Sequence, residues 1–164
     1  MGREDATLNE STMSDLLNKL LQASDWTDIV DAARALSARD NPSDVPQLIA
    51  ALKDPLEQRR WGAVYALGFS RQDRRAVVPL VEVLLDKRET PRVRAQAAEC
   101  LGMIGRRKAL KPVIECSTDD SAEVRFWCVF ALGAVLAKMP AAATQTAITD
   151  CSCPGGTARR QREP

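Results

Sequence analysis

Arg94-Ala95-Gln96-Ala97-Ala98-Glu99-Cys100-Leu101-Gly102 decides the fold, because the block recurs on both sides of itself. Upstream it reads Arg60-Trp61-Gly62-Ala63-Val64-Tyr65-Ala66-Leu67-Gly68, and downstream Arg125-Phe126-Trp127-Cys128-Val129-Phe130-Ala131-Leu132-Gly133. Arg opens each block, Leu-Gly closes it, and positions four and seven hold only Ala or Cys. Small residues at fixed helical spacing let helices approach closely, and the closing Gly predicts a helix C-terminus. A weaker copy, Ile29-Val30-Asp31-Ala32-Ala33-Arg34-Ala35-Leu36-Ser37, lacks the leading Arg and the Gly. Terminal units of a stack are often atypical because they cap it.

Pro46, Pro79 and Pro112 are spaced 33 residues apart and open the apolar stretches that precede the blocks. Proline fits the first turn of a helix, where its missing N–H costs nothing. Each period is therefore a helix pair, a short helix A and a helix B carrying the block. The first helix A falls at about residues 13–22, where Leu16, Leu17, Leu20 and Leu21 have helical spacing. Aromatics are only 4% of the chain, so the core is built from Ala, Val and Leu, which suits packed helices. The expected fold is an all-α, right-handed α-solenoid of about four helix pairs over residues 13–138. Residues 1–12 are expected to be a disordered N-terminus, and 139–164 a disordered tail or a truncated repeat.

The Val-Arg-x-x-Ala-x-x-x-Leu-Gly pattern at Val93-Arg94, echoed at Val124-Arg125, resembles the short HEAT-like repeats of phycobilisome lyases over about residues 13–137. The period of 31 to 34 is shorter than the roughly 40–47 of ordinary HEAT repeats. The resemblance implies a solenoid that binds along its concave side. It also implies two functional alternatives: a bilin lyase-like subunit or chaperone for a chromophore-binding protein, and nucleic-acid binding as in HEAT-like glycosylases. The net charge of +1 disfavours nucleic acid. HEAT-like deoxyhypusine hydroxylases use His-Glu metal motifs, which a chain without histidine does not supply.

Catalysis finds no constellation in the residues themselves. Without histidine the commonest general base is missing, and carboxylates such as Glu82, Glu99 and Glu115 stand beside no base or phosphate loop. No metal site and no cofactor is expected: Cys151 and Cys153 alone do not make a tetrahedral centre. Cys100, Cys116 and Cys128 read as small buried hydrophobes. The polar N-terminus argues against a signal peptide, and no apolar run reaches 18 residues, so a cytoplasmic protein with reduced thiols is expected.

The Arg ladder, Arg60, Arg94 and Arg125, is expected to be structural, bonding to the loop carboxylates Asp54, Asp86, Asp119 and Asp120 and to the next repeat. Five of the seven aromatics fall in two of the blocks. Positions two and six lie one turn apart and form one stripe of Trp61/Tyr65, Ala95/Glu99 and Phe126/Phe130. A core position should not hold Glu in one repeat and Phe in another. The stripe is therefore expected to line a concave partner-binding groove of Trp61, Tyr65, Glu99, Phe126 and Phe130, with Trp127 near its edge. The functional expectation is a non-catalytic interaction scaffold for a protein or peptide, with no membrane contact. An uncapped last repeat should leave Val113, Ile114, Val129 and Leu132 partly exposed and favour self-association.

Overall fold

The computed structural model describes residues 15–69 and 74–140. The expectations for residues 1–12 and for the tail beyond 140 lie outside them. The described residues are helical throughout, with no strand among them. Helix α1 covers residues 15–22, followed by α2 (Trp26–Arg39), α3 (Val45–Ala51), α4 (Glu57–Phe69), α5 (Val77–Leu85), α6 (Pro91–Ile104), α7 (Leu110–Cys116) and α8 (Ala122–Ala137). Single 3-10 turns at Arg74–Ala76 and Arg107–Ala109 lead into α5 and α7. They make four helix pairs.

The sequence places the ends of these helices. Pro46 lies in the first turn of α3, and Pro91 opens α6. Asp25, Thr90 and Ser121 cap α2, α6 and α8, each side chain accepting a backbone N–H of the first turn. Gly105, at φ 67, ends α6 in the left-handed region.

The long helices stack in order, α4 on α2, α6 on α4 and α8 on α6. Each of α3, α5 and α7 packs on the long helix that follows it, and α5 also on α7. One core runs through the stack from Leu17 and Leu20 to Val124, Cys128 and Ala131. A satellite of Leu110 and Val135 lies under Leu132, Leu136 and Met139. No described helix is long and apolar enough to cross a membrane.

The sequence led us to expect helix C-termini at the block glycines; all three lie near the ends of their helices, but none is the residue that caps one. Gly68, Gly102 and Gly133 lie inside α4, α6 and α8. Gly68 and Gly102 are crossing points. A Cβ on Gly68 would sit 2.9 Å from Cys100 Cα and closer still to its thiol, and one on Gly102 would sit 2.7 Å from Ala131 Cα. Position nine of one block thus faces position seven of the next.

Candidate functional site

Arg60, Arg94 and Arg125 each lie in the first turn of a long helix, and the rings fall on α2, α4 and α8. Arg94 and Asp119 form the most buried polar contact. The guanidinium donates from Nη1 to Oδ2 at 2.7 Å and from Nη2 to Oδ1 at 2.8 Å, a bidentate fork between α6 and the loop before α8. Lys87 Nζ also donates to Asp119 Oδ2, and Ser121 N donates to Oδ1 at 3.0 Å. The Arg94 fork, aided by Lys87, holds the Asp119 carboxyl well below the usual carboxylate range against the effect of burial.

Arg60 makes the equivalent fork to Glu89, at 2.6 and 2.9 Å. It also donates to the carbonyls of Asp54 and Pro55 in its own loop. Burial works to raise the Glu89 carboxyl; Arg60 and the Thr90 N–H outweigh it, and the group lies below its ordinary value. Arg125 donates to the carbonyls of Asp119 and Asp120. So Arg60 and Arg94 each hold their own loop or helix against a carboxylate one repeat further on. Asp54 instead pairs with Arg59, at 3.6 Å. Sequence reasoning missed Glu89 and Lys87. Both lie just before Pro91, in the loop whose own Asp86 had drawn attention.

The aromatic stripe divides in two. Trp61 stacks on Tyr65 with centroids 5.4 Å apart, and Tyr65 on Phe69 at 4.6 Å. Trp26 meets Trp61 edge-on at 5.5 Å, with the Arg92 guanidinium 4.0 Å over the Trp26 ring. Trp127 meets Phe126 and Phe130 edge-on in a second cluster. Between them Ala95 is buried and Glu99 half-buried, accepting from Gln96 Nε2 at 2.7 Å. Trp61, Tyr65 and Trp127 pack against the core.

A single continuous groove lined by Trp61, Tyr65, Glu99, Phe126 and Phe130 is therefore not what the helices build. Position two is buried at Ala95, half-buried at Trp61 and exposed at Phe126, and position six lies at the rim. Glu99 follows Tyr65 and precedes Phe130 in that position because a rim tolerates both charge and ring. Phe126 and Phe130 are exposed on α8, as is Val129, while Val113 is fully buried, contrary to expectation. Trp26, Phe69 and Arg92 belong to the first cluster and were not foreseen. They lie outside the nine-residue blocks or, for Arg92, just ahead of one.

Cys100, Cys116 and Cys128 are free and buried. Burial pushes the Cys100 and Cys128 thiols up to about 12. No group of three or more His, Cys, Asp or Glu side chains among the described residues is placed to hold a metal ion.

Comparison with known proteins follows the repeats. The family described as HEAT repeats matches residues 13–90 and 79–147. The Bos taurus protein named deoxyhypusine hydroxylase is 33% identical over 114 residues, covering 63% of this chain and 37% of its own length. Deoxyhypusine hydroxylase-B of Oryza sativa subsp. japonica is 36% identical over 121 residues, covering 71% of this chain and 39% of its own. The solved structure of human deoxyhypusine hydroxylase in complex with glycerol superposes with a TM-score of 0.68 at 27% identity, over 82% of this chain and 46% of that one. The chain thus spans well under half the length of the curated relatives it matches. These findings overturn two expectations. The likeness runs to deoxyhypusine hydroxylases, not to the lyase-type repeats. The reading as a non-catalytic interaction scaffold, with its bilin lyase-like alternative, falls because the named relatives are enzymes of another kind.

Proposed function

The chain belongs to the HEAT-repeat family, and from that premise we propose that it serves a deoxyhypusine hydroxylase-type reaction, as the part that surrounds the substrate side chain and not the part that inserts oxygen. The observation that carries the reading is the double likeness: sequence and fold both follow a hydroxylase over most of the chain and over less than half of the enzyme.

The donor chemistry supports the division. A His-Glu metal centre needs neutral imidazole ligands, and the sequence has no histidine. The carboxylates at the repeat junctions are engaged, Asp119 by Arg94 and Lys87, Glu89 by Arg60. The Cys100 and Cys128 thiols are held protonated. These residues do not fit such a centre. What they offer is recognition. Among the described residues Glu99 pairs with no cation, and it shares its repeat position with the Tyr65 and Phe130 rings. A carboxylate on an aromatic-flanked rim suits the amine of a deoxyhypusine side chain, through charge and ring contact together.

The test compares a deoxyhypusine-bearing peptide with the same peptide carrying lysine. The full chain is expected to prefer the former by about tenfold, and Glu99→Gln to abolish the preference. With ferrous iron and air, mass spectrometry is expected to show no oxygen added by this chain alone. Equal binding of both peptides refutes the substrate reading; oxygen insertion refutes the division of labour.

A further inference from the structure

We propose that the outer face of α8 docks on the same face of a second copy of this chain, giving a two-fold dimer. The repeats show what this face is built for. Val64 and Ala98 occupy position five of their blocks and are 0% exposed beneath the next long helix; Val129, their equivalent, is 60% exposed. Gly68 and Gly102 are overlain by Cys100 and Ala131, whereas a Cβ on Gly133 would meet nothing within 4 Å. Glycine inside a helix is unfavourable relative to alanine. At the first two positions a crossing helix requires it. At Gly133 the same requirement is met only when another helix lies there.

In this fold such a face is covered by a long helix: α4 covers α2, α6 covers α4 and α8 covers α6. The short helices pack mainly on the long helix that follows them and on one another. A segment taking the place of the next short helix would therefore leave Val129 and Gly133 open.

A second α8 fits. Phe126, Val129, Phe130 and Gly133 share one side of two helical turns, large at the N-terminal end and without a side chain at the C-terminal end. Antiparallel pairing about a two-fold axis lays Phe126 of one copy over Gly133 of the other and brings Val129 and Phe130 together across the axis. Such a pairing is self-complementary and closes, so it does not propagate into fibres. It also sets Glu123, in the first turn of α8, beside the last turn of the partner helix, which leads into Lys138, whose ammonium donates to the Met103 carbonyl of its own chain and remains exposed for a further contact. The two helix dipoles then oppose each other favourably. The dimer takes Phe130 into its interface and leaves Glu99 and Tyr65 to meet the amine, so the peptide test and the sedimentation test can fail separately.

Sedimentation equilibrium of the full chain tests this, with a mass twice that of the 18.0 kDa protomer expected. Val129→Glu places a charge on a side chain exposed in the protomer. It is expected to raise the dimer dissociation constant by about a hundredfold while the dilute protomer melts as before. Gly133→Trp fills the space Phe126 needs and should act in the same direction. A full chain that stays monomeric at high micromolar concentration overturns the proposal. So does a dimer whose dissociation constant neither substitution changes.

Discussion

Arg94 and Asp119 are removed from water together, with side-chain exposures of 6% and 0%. A pair this buried contributes little net stability over an apolar pair, but each partner is costly without the other. Arg94→Ala leaves Asp119 with only Lys87 and the Ser121 N–H, so a loss of about 3–5 kcal/mol is expected from urea unfolding. Arg125→Ala, which removes only bonds to loop carbonyls, should cost about 1 kcal/mol. The same pair sets an acid dependence. The Asp119 carboxyl lies lower in the folded chain than its unfolded value of 3.8. Its contribution is therefore complete above about pH 5 and is lost progressively as the pH falls through and below the unfolded value. The melting temperature of the native chain should drop on acidification through this range, and that of Asp119→Asn should drop less. Asp44 works in the opposite sense. Burial raises its carboxyl, and its Oδ2 is buried without a hydrogen-bond partner. It favours the folded state on the acid side of its folded value.

At the scale of the helix, the three block glycines separate two roles that one residue type conceals in the sequence. Gly68 and Gly102 lie at crossings where the next helix backbone is within 3 Å of a would-be Cβ. Gly133 has open space above it in the protomer. Gly68→Ala must push α6 away from α4 and is expected to destabilise by about 2–3 kcal/mol. Gly133→Ala should instead stabilise the dilute protomer by about 0.5–1 kcal/mol, the ordinary advantage of alanine in a helix. Thermal melts of the two variants, recorded well below the dimerisation range, should move in opposite directions. Equal destabilisation by both would mean that Gly133 is already covered within one chain.

At the scale of the molecule, the stack is close to one-dimensional, since each repeat touches only its neighbours. Opening therefore begins at the ends and reaches the centre last. The cysteines report it. Cys100 lies on the inner helix α6 against α4, while Cys128 belongs to the outermost long helix described. In a Cys151→Ser, Cys153→Ser background under native conditions, Cys128 should be labelled by a thiol reagent faster than Cys100. The gap should widen with mild denaturant. Equal protection would show that the stack opens all at once.

The sequence alone determined the architecture, because repeat geometry is local. A nine-residue block with small residues at positions four and seven can form only a helix that lies close to another. Prolines 33 residues apart set the period, and Thr90 and Ser121 supply caps within a turn of the helices they start. The block arginines were legible for the same reason, since an Arg repeated at the head of each helix needs a repeated acceptor. Which acceptor it took was decided by tertiary structure: Arg60 reached past Asp54 to Glu89, 29 residues away. The closing glycines misled because a helix end and a helix crossing demand the same missing side chain, and only the neighbouring backbone distinguishes them. The aromatic stripe misled because a period states which positions share a helix face but not what that face meets. Val64 and Val129 are the same residue at the same place in the repeat; one is sealed and the other open because a helix packs on the first and, among the described residues, none packs on the second.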